Sequence, residues 1–351
     1  MLGQSEKIRY ARHIILPEIG EKGQEKLKLA RVLVVGAGGL GCPVLQYLTA
    51  AGVGRIGIID NDQVDESNLQ RQILFSVNDI GRKKVEVAVE KLSKQNPFVE
   101  FVPFTERLST ENALAIIREF DLVVDGSDNF STRYLVSDAC VMLGKSLVFG
   151  SIFKFEGQVS VFNYSGGPTY RCLYPEPPAD GEVPNCAEIG VIGILPGICG
   201  TLMANEVIKV MTGIGDILSG RLLSFNALTM QFEQFDFSAR TENKNISTLS
   251  NYDQLCGVVS EISVTELKQK MERQEDFQLI DVREEHEFQQ KNIGGILIPL
   301  NTLNKNLARI NINKDIIVHC ASGVRSKKAV QFLRERGFTR VYNLRNGLLD
   351  F

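Results

Sequence analysis

The 351-residue sequence predicts an α/β protein: a doubly wound, mostly parallel sheet with an antiparallel extension, followed by a second, smaller α/β domain. Short apolar, β-branched runs alternate with helix-like stretches through the first part of the chain. A glycine turn, Gly36-Ala37-Gly38-Gly39-Leu40-Gly41, sits directly between the first such run and the helix after it. Beyond Gly150 the alternation changes to strand pairs around one long apolar helix.

Arg-Val-Leu-Val-Val at 31–35 reads as a buried parallel strand, and a helix follows from about Cys42 to Ala51. The glycines let the backbone turn sharply and approach a phosphate, which the helix N-terminus attracts with unpaired amides. A second strand, 55–59, delivers Asp60, an acid placed to bind a ribose. So far the pattern is Rossmann-like and fits NAD or FAD as well as any other nucleotide. Further strands are expected near 99–104, 121–125 and 146–150, with a helix over 83–94. The antiparallel part comprises strands at 157–164 and 221–237 and a helix over 194–211. Between them, residues 165–190 are rich in glycine and proline and read as a long functional loop. The chain turns polar near Ser238, so the first domain is set at 1–240, a linker at 241–260 and the second domain at 261–351.

Composition excludes several classes. With 44% hydrophobic and 23% charged residues the chain is globular, and a net charge of -3 gives no electrostatic case for nucleic acid. No apolar signal region opens the sequence and no run reads as the roughly 18 apolar residues of a membrane helix, so a cytoplasmic location is expected. The seven cysteines (42, 140, 172, 186, 199, 256, 320) form no disulfide framework. Cys42, Cys140 and Cys199 fall in apolar or helical segments and read as core residues.

A dehydrogenase has no evident use for the segments downstream of Asp60. Asp60-x-Asp62 leads to Ser67-Asn68-Leu69-Gln70-Arg71-Gln72, then Gly81-Arg82-Lys83-Lys84, then Asp125-Gly-Ser-Asp128-Asn129. Together these segments resemble the MoeB/ThiF family of enzymes that adenylate ubiquitin-like proteins. The resemblance implies an ATP site made from Gly36, Gly38, Gly39, Gly41, Asp60, Asp62, Asn68, Arg71 and Lys84. Arg71 and Lys84 would contact the phosphates, Asn68 the triphosphate and Asp60 the ribose, while Asp128 would hold Mg²⁺. Arg12 matches a family arginine that reaches into the neighbouring subunit's site, implying a homodimer. Adenylation brings an attacking carboxylate to a phosphate, so a cationic pocket and a metal ion suit the chemistry.

Relatives often carry two CxxC pairs that bind structural zinc. Here the first position reads Cys172-Leu-Tyr-Pro175 and the second Asp253-Gln-Leu-Cys256. Two thiolates and an aspartate make a poor tetrahedral site, so structural zinc is expected to be absent, with Cys172 and Cys256 left as packing residues. Cys186, at the end of the proline-rich loop, resembles a crossover-loop cysteine that takes the carrier as a thioester or acyl disulfide.

The second domain resembles a rhodanese domain. It matches in Leu279-Ile-Asp281-Val-Arg283-Glu284-Glu285-His286-Glu287-Phe288, in the strand 316–319, and in the loop Cys320-Ala-Ser-Gly323-Val-Arg325 before a helix from Ser326. A cysteine whose loop amides converge at a helix N-terminus is suited to carry a persulfide. Phosphatases on this domain type use a Cys-x5-Arg loop, whereas Cys320 to Arg325 is one residue shorter and suits sulfur. Two departures, Asn292-Ile-Gly294-Gly295 and Asn346-Gly347, are expected to leave the loop untouched.

The combined resemblance implies a sequence of reactions. The first domain adenylates the C-terminal glycine of a small ubiquitin-like sulfur carrier. A Cys320 persulfide, loaded by a donor such as a cysteine desulfurase, then converts it to a thiocarboxylate, with Cys186 a candidate resolving thiol. The carrier is the molybdopterin-synthase small subunit (MoaD-like), a thiamin sulfur carrier (ThiS-like) or a tRNA-thiolation carrier. A nicotinamide-dependent oxidoreductase and a non-catalytic scaffold are the readings from other classes.

Overall fold

The computed structural model describes residues 1–178, 190–256, 259–349 and 351. The chain divides into two compact units, Met1–Cys256 and Gly257–Phe351.

The first unit is built on β1 (Arg31–Val35), β2 (Arg55–Ile59), β3 (Glu100–Phe104), β4 (Leu122–Asp125), β5 (Ser146–Phe153), β6 (Glu156–Phe162), β7 (Arg221–Asn226) and β8 (Gln231–Asp236). They form one eight-stranded sheet in the order β3-β2-β1-β4-β5-β6-β7-β8. The first five pair in parallel and the last three antiparallel, as the change of pattern beyond Gly150 predicts. β1 runs between β2 and β4, with Val34 opposite Ile58 on one side and Val124 on the other. Both faces of the inner parallel strands are covered, which is why β1, β2 and β4 are apolar runs, while the edge strand β3 stays half-exposed. Leu45, Leu48, Val87 and Met203 pack on one face, and Phe120, Tyr134, Phe149 and Tyr170 on the other.

Three helices flank the switch in strand order: α1 (Gly41–Ala51), α2 (Lys84–Gln95) and α3 (Phe130–Leu143). The long apolar helix α4 (Ile194–Thr212) packs on α1, β5 and β6. With 19 residues and a mean hydropathy of 1.3, it is long and apolar enough to cross a membrane, contrary to the sequence expectation. It serves here as a core helix: Leu195, Cys199, Met203 and Val207 are buried within the unit. Its fit on α1 depends on Gly200, where a Cβ would stand 2.5 Å from the carbonyl oxygen of Leu40. Burial pushes the thiols of Cys42 and Cys199 up to about 12 and raises that of Cys140 as well, as inert core cysteines require.

Two segments depart from the sequence reading. The span 221–237 is a hairpin, broken where Asn226 Oδ1 accepts from the amides of Leu228 and Thr229. Residues 241–256, read as linker, pack onto the first unit. The Tyr252 hydroxyl donates to buried Asp138 at 2.7 Å, Asn243 donates to the Arg171 carbonyl at 3.0 Å, and Arg107 pairs with Asp253 at 2.7 Å.

The second unit is a five-stranded parallel sheet of β9 (Glu261–Ile262), β10 (Phe277–Asp281), β11 (Ile296–Leu297), β12 (Asp315–His319) and β13 (Val341–Leu344), ordered β11-β10-β12-β13-β9. Helices α5 (Glu285–Gln290) and α6 (Val324–Arg334) follow the carboxyl ends of β10 and β12. α6 begins two residues before the predicted Ser326 because Gly323, at φ 86°, turns the chain directly into it.

Candidate functional site

In an open α/β sheet, strands flanking the switch in order diverge at their carboxyl ends and leave a crevice. Here the crevice lies beyond β1 and β4. The glycine turn fills its floor so tightly that side chains are excluded. Gly36 sits at φ 91°, and a Cβ on it would lie 2.9 Å from the Gly126 carbonyl oxygen. A Cβ on Gly41 would lie 1.9 Å from the carbonyl oxygen of Gly36. Above the turn is a cavity of about 240 Å³ lined by Gly36, Gly38, Gly39, Asp60, Asp62, Arg71, Lys84 and Asp128. These are eight of the residues singled out from the sequence. Gly41 lies beneath the turn, and Asn68 and Arg12 do not line the cavity; Arg12 is exposed in the short helix Ala11–Ile14.

Asp60 accepts the amides of Ala37 and Asp62, each at 2.8 Å. Burial raises its pKa and Lys84 opposes that rise. Two amide bonds leave lone pairs for further donors. Lys84 opens α2, is 4% exposed, and donates to Asp62 at 2.8 Å. Arg71 is steadied by the Ser67 carbonyl at 3.0 Å. Across the cavity, Asn129 rather than Asp128 caps α3, accepting the Thr132 amide at 2.9 Å, so the exposed Asp128 carboxylate has no capping duty. Behind it, fully buried Asp125 accepts from the Ser127 amide and hydroxyl, at 2.9 and 2.6 Å. Burial raises the Asp125 pKa, with Arg133 opposing.

Arg107, Arg133 and Gln72 also line the cavity and were not identified from the sequence. Gln72 stood in the quoted motif beside Arg71. The two arginines reach the cavity through tertiary packing, for which local sequence holds no signal: Arg133 lies over the Phe130 and Phe149 rings, and Arg107 pairs with Asp253.

In the second unit Cys320 follows β12 and is fully buried. Its sulfur accepts the Gly323 amide at 3.1 Å and the Ser326 hydroxyl at 3.4 Å. Arg325 forms a two-pronged pair with Glu287 on α5, both bonds 2.6 Å. That pairing draws the Glu287 carboxyl down to about 2 and raises the Arg325 guanidinium. Beneath the loop, Arg283 grips Asp281, and buried His319 has no hydrogen-bond partner on either ring nitrogen among the described residues. Asn346-Gly347, expected to leave the loop untouched, is packed against it. The Leu348 amide donates to the Cys320 carbonyl at 3.0 Å, and a Cβ on Gly347 would lie 2.2 Å from that oxygen. Asn346 itself takes φ 57°, a left-handed conformation that asparagine tolerates where glycine is usual.

Cys172 is more than a packing residue. Its sulfur accepts the amides of Thr169 and Arg240, at 3.4 and 3.3 Å, and meets Asn243 Nδ2 at 3.8 Å. Burial pushes the thiol up, but the Thr169 hydroxyl, 3.4 Å from the sulfur, together with these bonds outweighs it and the net shift is downward. The segment that bonds to the Cys172 sulfur is thus Arg240–Asn243, while Asp253 turns to Arg107 and burial pushes the Cys256 thiol up to about 11. Cys186 lies outside the described residues.

The cavity offers a glycine turn, cations at its rim and an exposed carboxylate, which suits a nucleotide with its metal. The loop offers a cysteine sulfur held by the Gly323 amide and the Ser326 hydroxyl. Residues 10–248 match the ThiF family and residues 263–351 the rhodanese-like domain. Over 99% of its length the chain is 43% identical to the probable adenylyltransferase/sulfurtransferase MoeZ of Mycobacterium tuberculosis, covering 93% of that protein. It is 42% identical over 98% of its length to the probable molybdopterin-synthase adenylyltransferase of Porphyra purpurea, covering 92% of it. The crystal structure of E. coli MccB with ATP shares the fold, with a TM-score of 0.60 over 68% of this chain and 73% of that one at 22% identity.

Proposed function

The chain belongs to the ThiF family and carries a rhodanese-like domain, and from that premise we propose that it adenylates the C-terminal glycine of a small ubiquitin-like sulfur carrier and then transfers sulfur to it. The observation that carries this reading is the single cavity in which the glycine turn, Asp60, Arg71, Lys84 and Asp128 meet. The carrier is assigned as the molybdopterin-synthase small subunit, supported by the name of the Porphyra relative.

The turn amides and the N-terminus of α1 face the phosphates, and Asp60 takes the ribose hydroxyls on its free lone pairs. Lys84 and Arg71 offset the charge of the incoming carboxylate and the departing pyrophosphate. An incoming triphosphate competes with Asp62 for the Lys84 ammonium. Mg²⁺ fits at Asp128, since this ion binds through one or two carboxylates plus substrate phosphates, and it would neutralise the leaving group. Arg12 is assigned to the partner subunit's site in a homodimer, a reading supported by exposed Ile8, Ile15 and Leu16 around it.

In the second step the terminal sulfur of a Cys320 persulfide attacks the acyl carbon of the adenylate and AMP departs. The acyl disulfide so formed is resolved by a thiol, for which Cys186 is the candidate. That thiol bonds to the Cys320 sulfur and releases the carrier thiocarboxylate, leaving a disulfide that a cellular dithiol reduces. The persulfide donor is assigned as a cysteine desulfurase.

ATP–pyrophosphate exchange with each candidate carrier, molybdopterin-type, thiamin-type and tRNA-thiolation-type, tests the first step, with Asp128→Ala as control. Exchange with one carrier, lost in the variant, supports the reading and names the carrier. Cys320→Ser should keep exchange and lose thiocarboxylate. Absence of exchange with every carrier, despite measurable ATP binding, sinks the activating role for those partners.

A further inference from the structure

Gln72 is 4% exposed and lines the nucleotide cavity, yet its side-chain oxygen has no hydrogen-bond partner among the described residues. A buried amide oxygen left unpaired costs roughly 1–3 kcal/mol, so an apolar residue of similar size would be the more stable occupant. The backbone does not require glutamine either. Its amide donates to the Asn68 carbonyl at 2.9 Å and its carbonyl accepts the Phe75 amide at 3.0 Å, bonds that most residues can make. What glutamine adds is a carboxamide set against the glycine turn: Nε2 lies 3.8 Å from where a Gly38 Cβ would stand.

An unpaired acceptor calls for a ligand with a donor. Nucleotide phosphates offer none at neutral pH, the ribose hydroxyls fall to Asp60, and the adenine amine lies beyond the ribose, away from the glycine turn that Gln72 faces. The other substrate ends in a glycine whose own N–H lies two bonds from the carboxyl carbon that bears the attacking oxygen. Resting on the adenylation reading above, we propose that Gln72 binds the carrier's terminal residue, its Oε1 accepting that backbone N–H and so aiming the carboxylate at the α-phosphate. Gln72 is thereby a substrate-contacting residue that serves the carrier rather than ATP.

The test couples a protein variant to a substrate variant. Gln72→Leu keeps the volume and removes the acceptor; a carrier semisynthesised with C-terminal sarcosine keeps the carboxylate and removes the N–H. In ATP–pyrophosphate exchange, Gln72→Leu should raise KM for the carrier about tenfold while KM for ATP stays within about twofold. Sarcosine should cost the wild type a similar factor and cost Gln72→Leu nothing further, because the same bond is already gone. Additive losses, or a rise confined to the KM for ATP, would overturn the proposal while leaving wild-type exchange to stand for the adenylation reading. If the wild type shows no exchange with any carrier, both fall. Gln72→Asn, which keeps the amide on a shorter stem, should fall between wild type and Gln72→Leu, a grading that a purely structural defect would not give.

Discussion

Both terminal nitrogens of Arg325 donate to Glu287, one to each carboxylate oxygen at 2.6 Å, tying α5 to the loop that carries Cys320. The arginine that closes the loop is thus held by a carboxylate, and its planar fork is what makes the hold two-pronged.

Loop geometry should therefore fail when the fork is lost even if the charge is kept. Arg325→Lys and Glu287→Gln should each slow single-turnover sulfur transfer from Cys320 by about tenfold. A wild-type rate in Arg325→Lys would show that charge alone suffices. Because Glu287 is drawn from 4.5 to about 2, its stabilising contribution is present above pH 4.5 and lost as the pH falls through about 2. Acid titration of Glu287→Gln should lack that step.

His319 gives the second unit a different acid response. Burial lowers its pKa from 6.5 to about 4, so between those values the unfolded chain takes up a proton that the folded one refuses. Stability should fall as the pH drops from 6.5 and level off below about 4, a loss of roughly 3 kcal/mol. Amide exchange of the β12 strand in the full chain, compared with His319→Leu, measures it. An unchanged pH slope in the variant would assign the loss to other groups.

Lys84 should matter for chemistry far more than for folding. Lys84→Met keeps the buried stem and removes the ammonium. Exchange should fall by at least about a hundredfold, with the melting temperature nearly unchanged. A residual rate above a tenth of wild type would remove Lys84 from the phosphate-binding set.

Gly41→Ala tests the floor of the crevice. A methyl 1.9 Å from the Gly36 carbonyl must displace the turn, at a cost of about 1–3 kcal/mol or more, and nucleotide affinity should fall with stability. Calorimetric titration with ATP together with a thermal melt reads both; an unaltered melt would mean that the turn can yield.

The parallel half of the fold was legible because its inner strands β1, β2 and β4 are buried on both faces and announce themselves as apolar runs. The glycine turn, Asp60, Lys84 and Asp128 were legible because each lies near the end of a strand or the start of the helix after it, and Arg71 because it sits in the polar run Ser67–Gln72. Arg107 and Arg133 were not, since Arg107 is placed by Asp253 and Arg133 by the Phe149 ring and the Ser127 carbonyl, partners that their local sequence does not mark. The polarity of 241–256 disguised a segment that is polar because it bonds to the domain, through Asn243 and Tyr252, and not only because it meets water. The contact of Asn346-Gly347 with Cys320 joins two loops that topology brings together and sequence separation hides.

The close approach at Gly41 also constrains how this sequence can drift. The atom that meets an added methyl is the Gly36 main-chain oxygen, and at Gly200 it is the Leu40 carbonyl oxygen as well as the Pro43 ring. A clash between side chains can be relieved by trimming the other partner, but a carbonyl oxygen is present whatever residue carries it. Damage at Gly41 should therefore have no single-residue suppressor at its contact point, and a search for revertants should return the glycine itself.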